Sequence, residues 1–178
     1  MITAAKPIDI PAVKAPSNRG ARRRSRECAV QGLYAWILNY EPDEQVADNV
    51  SGASGASGVI EAHLRDSDEF AHCDLALFQS LIHGTISHAP ELRAAFTTHI
   101  DRAANLLSPV EHAILLLGTY ELMYCPETPM SVVINEAIEV SKAFGGNDAY
   151  RYINGVLDKV AGVSRTVEFA AKKRGKTG

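Results

Sequence analysis

Five arginines fall within eight residues, Arg19-Gly20-Ala21-Arg22-Arg23-Arg24-Ser25-Arg26. A guanidinium presents a planar fork of donors that pairs with two phosphate oxygens at once and can stack on a base. The apolar spacing that follows puts this run at the N-terminal end of a helix, where the macrodipole disfavours cations. A bound anion would relieve that repulsion, so the run reads as a grip for nucleic acid or another polyanion. A solubilising charge run is the alternative. The run alone does not choose between RNA and DNA, but the arginines precede the apolar stripe instead of decorating an exposed recognition helix, as a helix-turn-helix would need. Single-stranded RNA is held by cations together with planar groups for unstacked bases. Tyr150-Arg151-Tyr152 sets a cation between two rings near the end of the chain. Tyr150 is equally explained as core packing, whereas Arg151 and Tyr152 flank an apolar stripe and suit a surface.

Other constellations lead nowhere. The chain contains no G-x-S-x-G, Gly-rich phosphate loop or H-E-x-x-H. His63, His72, Cys73 and His83 match no usual zinc spacing, and an adjacent His-Cys pair projects in different directions from a helix. Glu136 and Glu139 superficially resemble an acid–base pair, yet with no partner cluster they read as a solvated helix face. The reading is a protein without catalytic residues, cofactor or metal.

Charge distribution says more than the net charge of −3. Seven basic residues lie in the first 30 positions and five in the last 14, so 12 of the 18 sit at the ends. The middle keeps six against 18 acids. An acidic body with cationic ends suits local rather than enveloping polyanion binding. Cys28, Cys73 and Cys125, odd in number and widely spaced, argue against a disulfide scaffold. No apolar run reaches membrane-spanning length, and no signal-peptide segment opens the chain, so a soluble cytoplasmic protein is expected.

The elements that must position these residues are helical throughout. Residues 1–20, with Pro7, Pro11 and Pro16, read as a flexible arm; SGASGASG (51–58) reads as a surface insertion, and the basic stretch 164–178 as a fraying tail. Ala29, Leu33, Trp36 and Tyr40 form one stripe over 21–40. Leu75, Phe78, Leu81 and Ile82 form the next, with Gly84 as its end, and Leu92, Ala95, Phe96 and Ile100 a third. Ser108-Pro109-Val110-Glu111 is a capping box opening a helix apolar almost all round, which must be central. A helix from Thr128-Pro129 turns Val133, Ala137, Val140 and Phe144 one way and ends at Gly145-Gly146 in the left-handed conformation. Asn147 or Asp148 caps the last helix, whose stripe runs Ile153, Val156, Leu157, Val160. The prediction is an all-α fold of six to seven helices within 21–163, in two packed subdomains of about 21–100 and 106–163.

Three stretches, ARRRSRECAVQGLYAW (21–36), SPVEHAILLLGTYEL (108–122) and VINEAIEVSKAFGGNDAYRYINGVLDKVA (133–161), resemble the NusB family of bacterial transcription antitermination factors. The resemblance spans about Ala21 to Ala161; the arm, the insertion and the basic tail depart from it. It implies a non-enzymatic factor that binds the boxA element of nascent ribosomal RNA as a heterodimer with the ribosomal protein NusE. That complex joins RNA polymerase and resists Rho-dependent termination. Carried over by position, the RNA contacts fall on Arg22, Arg23, Arg24, Arg26, Asp148 and Arg151, and the NusE contacts on Tyr34, Glu111 and Tyr152. Tyr152 stands where the family commonly has phenylalanine. Two other readings stay open: the helical domain of an RNA cytosine methyltransferase fragment, and a homodimer that buries the arginine helix.

Overall fold

The computed structural model describes residues 18–40 and 50–175. They form eight α-helices: α1 (Asn18–Tyr40), α2 (Val50–Arg65), α3 (Leu75–Ser87), α4 (Ala89–Thr97), α5 (Pro109–Tyr124), α6 (Met130–Phe144), α7 (Ala149–Ser164) and α8 (Thr166–Gly175). Short 3-10 turns occur at Phe70–His72 and Ala104–Leu106, and no strand occurs among the described residues. The fold is all-α, with more helices than the six or seven expected. The additional elements are α2 and α8. The start of the N-terminal arm lies outside the described residues, and α1 already begins at Asn18.

Helix α5 is the axis of the molecule. Its capping box is formed: the Ser108 hydroxyl accepts from Glu111 N–H at 3.2 Å, and the Glu111 carboxylate accepts from Ser108 N–H at 3.0 Å. Ten consecutive residues, Ala113 to Leu122, are buried, which is possible only for a helix packed on all sides. Helices α1, α3, α4, α6 and α7 all touch it, and their apolar faces make one continuous core.

The SGASGASG segment, expected as an insertion with nothing to bury, lies inside α2, where Ala56 and Ser57 are buried. Glycine and serine are weak helix formers, so tertiary contacts hold this helix. His83 on α3 bridges the Ser57 hydroxyl at 2.8 Å and the Glu61 carboxylate at 2.7 Å, and Gln79 donates to Glu61 at 2.8 Å. Burial alone would raise the Glu61 carboxyl, but bonds from Arg65, Gln79 and His83 push it down to about 2.

Helix α8 likewise replaces the expected fraying tail. Arg165, the residue before it, donates to the carbonyls of Glu121 (3.1 Å), Leu122 (2.6 Å) and Cys125 (2.7 Å), closing the C-terminal end of α5. Arg165 also pairs with Glu168 at 2.7 Å, and Glu168 accepts from Met130 N–H at 2.8 Å at the start of α6. One ion pair thus satisfies groups orphaned at two helix ends.

Two glycines act otherwise than predicted. Gly84 sits within α3, not at its end, because the Tyr120 ring occupies the space a Cβ would need. Gly145 does end α6, but with extended backbone (φ −84°, ψ 167°); a Cβ there would stand 2.5 Å from the Ser141 carbonyl oxygen. The left-handed residue is Asp148, at φ 66°, and its side chain makes no cap.

Candidate nucleic-acid interface

The arginines of α1 diverge because successive residues on a helix point about 100° apart. Arg26 is buried and bonded bidentately to Glu121 of α5, with Nη2 at 2.6 Å and Nε at 2.9 Å from the carboxylate. Burial would lower its pKa, but the Glu121 bonds outweigh this and hold it raised. Arg26 therefore serves the core instead of the surface expected of it. Arg23 reaches α6, with Nε 3.0 Å and Nη2 3.1 Å from the Glu136 carboxylate and Nη1 4.0 Å from Glu139. The Arg23 bond holds the Glu136 carboxyl below its ordinary range. Glu136 is buried in this contact, which corrects its reading as part of a solvated face, whereas Glu139 keeps a side chain 43% exposed. Arg24 pairs with Glu27 one turn on at 2.7 Å and keeps a side chain 42% exposed. Arg22 is half-buried and makes no ion pair among the described residues, and Arg19 is exposed beside it. The N-terminal repulsion in α1 is thus relieved largely by carboxylates of the same chain.

From Glu139 the contacts continue toward α7. Lys142 donates to Glu139 at 2.9 Å, which holds that carboxyl low, and its ammonium lies 5.6 Å from the Tyr150 ring centre. The Arg151 guanidinium is also 5.6 Å from that centre, its Nε donates to the Tyr150 hydroxyl at 3.1 Å, and its Nη1 lies 3.4 Å from Asp148. A single strip therefore runs Arg23, Glu136/Glu139, Lys142, Tyr150, Arg151, Asp148. It brings the start of α1 beside the start of α7, more than a hundred residues on. Lys142 carries little signal in the sequence. Only its i, i+3 spacing from Glu139 hinted at its place.

The other three expected residues share a second region. Tyr34, exposed on α1, lines a groove of about 250 Å³ with Val30, Gln31, Val110 and Phe144. Phe144, expected to face the core, is exposed at this rim. Glu111, next to Val110, accepts from Arg102 at 2.9 Å, and the Arg102 guanidinium lies 4.0 Å from the Tyr152 ring centre. Burial would raise the Glu111 carboxyl, but the bonds from Ser108 and Arg102 hold it low. The Tyr152 hydroxyl is enclosed beside Arg102 and makes no hydrogen bond of good geometry among the described residues. Arg102, which links Glu111 to Tyr152, carried no signal in the sequence.

Fold and strip define an all-helical protein whose cations are gathered locally on an anionic body. The profile of the NusB family matches residues 23–162, and the chain belongs to that family. It is 48% identical to the transcription antitermination protein NusB of Bordetella pertussis over 156 residues, 88% of this chain and 95% of the relative. It is equally similar to the transcription antitermination protein NusB of Ralstonia pickettii, 48% over 160 residues, covering 90% and 94%. The solved structure of T. maritima NusB aligns with a TM-score of 0.63 at 25% identity, over 79% of this chain and 89% of that one. Family membership makes the chain a transcription factor and not an enzyme. No helix among the described residues is long and apolar enough to cross a membrane.

Proposed function

We propose that this protein is a transcription antitermination factor that holds boxA-type single-stranded RNA of ribosomal RNA transcripts, together with NusE, within the RNA polymerase antitermination complex, and helps polymerase resist Rho-dependent termination in the cytoplasm. The observation that carries the reading is the strip joining the start of α1 to the start of α7 through Lys142 and Tyr150. Arg22, Arg24 and Arg151 supply guanidinium groups for phosphates, and Arg23 keeps only its Nη1 because Glu136 holds the Nε–Nη2 fork. The Tyr150 ring, flanked by two cations, supplies a plane for a base. Arg26 has no part in it, being committed to Glu121. Asp148 tempers the site by pairing with Arg151.

NusE is assigned to the neighbouring region of Tyr34, Glu111 and Tyr152, where an apolar groove adjoins the Arg102–Glu111 pair. Adjacent sites would let each ligand favour the other reciprocally. A second copy of this chain is the competing occupant.

The test is retention of a boxA-type RNA oligonucleotide, with and without NusE, by the wild type and by the combined Arg22→Ala, Arg24→Ala, Arg151→Ala variant. The variant should keep its helical circular dichroism and lose about tenfold or more in RNA affinity. Added NusE should tighten RNA binding by the wild type. Undiminished affinity in the variant would reject the cationic site at the starts of α1 and α7, and no effect of NusE would reject the paired site.

A further inference from the structure

Cys28 lies on α1 and Cys73 at the corner that opens α3, yet their sulfurs are 3.4 Å apart, with the Cys73 thiol directed at Cys28. A disulfide needs about 2.05 Å, a closure of little more than an ångström. The corner is held against α1 by neighbouring backbone: the Ser25 hydroxyl donates to the Asp74 carbonyl at 2.8 Å, and Asp74 N–H donates to the Ala21 carbonyl at 3.4 Å. The two thiols also differ in access. Cys28 is 1% exposed, whereas Cys73 is half-buried and open to a small reagent.

We propose that Cys28 and Cys73 are an oxidisable dithiol, a modification site that closes to an intramolecular disulfide on contact with a low-molecular-weight disulfide such as oxidised glutathione. Cys73 gives its proton to solvent, and its sulfur attacks one sulfur of the reagent. The reagent's S–S bond breaks, and one glutathione leaves as thiolate and takes up a proton. The buried Cys28 then loses its proton and attacks the Cys73 sulfur, expelling the second glutathione. Two protein thiols are oxidised, and one glutathione disulfide is reduced to two thiols. Burial pushes the Cys28 thiol up to about 12 and raises Cys73 as well, so the reaction is slow near neutrality and accelerates with pH. Cys125, buried and pushed up to about 11, makes no thiol–thiol contact among the described residues and serves as an internal control.

Trypsin places the three cysteines on separate peptides, 27–65, 66–93 and 103–142. The full chain is treated with oxidised glutathione under native conditions, alkylated and mapped without reduction. The expected result is peptide 27–65 joined to 66–93, with two hydrogens lost and no glutathione retained. Cys28→Ala should trap glutathione on Cys73, and Cys73→Ser should yield neither product. Glutathione persisting on wild-type Cys73, an unchanged chain, joining only after denaturation, or equal reaction of Cys125 would each overturn the proposal. The wild-type map and the half-exposed Cys73→Ser variant decide the matter even if Cys28→Ala does not fold.

Discussion

Two residues apart on α1, Arg24 keeps a side chain 42% exposed while that of Arg26 falls to 4%. Removing one partner of a buried pair strands the other charge, which costs about 3–5 kcal/mol, whereas an exposed pair contributes about 1 kcal/mol or less. Arg26→Ala should therefore lower the urea midpoint sharply, and Arg24→Ala should leave it nearly unchanged; similar midpoints would contradict the assignment of Arg26 to the core. Asp148 supports a different expectation. It adopts φ 66°, a conformation asparagine tolerates well, and its carboxylate lies 3.4 Å from Arg151. Asp148→Asn removes a negative charge from the strip without straining the turn. RNA affinity should rise by about two- to fivefold in a filter-binding titration. Equal or weaker binding would show that Asp148 does not restrain Arg151.

At the scale of elements, α1, α4 and α5 meet around a half-buried His112. Arg93 of α4 donates to His112 Nε2 at 3.1 Å and lies 5.5 Å from the Trp36 ring centre on α1. Burial, with Arg93 adding repulsion, lowers the His112 pKa from 6.5 to about 4. The unfolded imidazole takes up a proton near 6.5, and the folded one resists until about 4. The resulting stabilisation is complete above the higher value and is lost as pH falls between the two. From about pH 7 to about pH 5 this group should remove about 2 kcal/mol, read from urea midpoints. His112→Gln, which keeps an acceptor for Arg93 without titrating there, should lose less over the same interval. A parallel loss in both proteins would place the acid sensitivity elsewhere.

Over the whole molecule, a net charge of −3 opposes general attraction to nucleic acid, so binding rests on a few localised cations. With about four phosphates neutralised, the log–log dependence of RNA affinity on salt should have a slope of about −3. A slope near zero would remove the arginine run as the anchor. Among the acids, Glu121, Glu136 and Glu27 are spent within the chain, pairing Arg26, Arg23 and Arg24 before any ligand arrives.

The all-helical class, the capping box at Ser108 and the central place of α5 were legible because they rest on local periodicity and hydrogen bonds three residues apart. The arginine run and Tyr150-Arg151-Tyr152 were visible as chemistry for the same reason. What a residue meets across the core is not local. Whether Arg26 faced a ligand or Glu121 depended on a contact 95 positions away, and whether SGASGASG was a linker or a helix depended on His83 and Gln79 of α3. Gly84 looked like a terminator until the Tyr120 ring explained its missing side chain. Lys142 joined the strip only because α6 packs between α1 and α7. Sequence determined which groups could bind a polyanion; tertiary structure alone decided which of them the core had already claimed, since burial rewards charges only when they are paired.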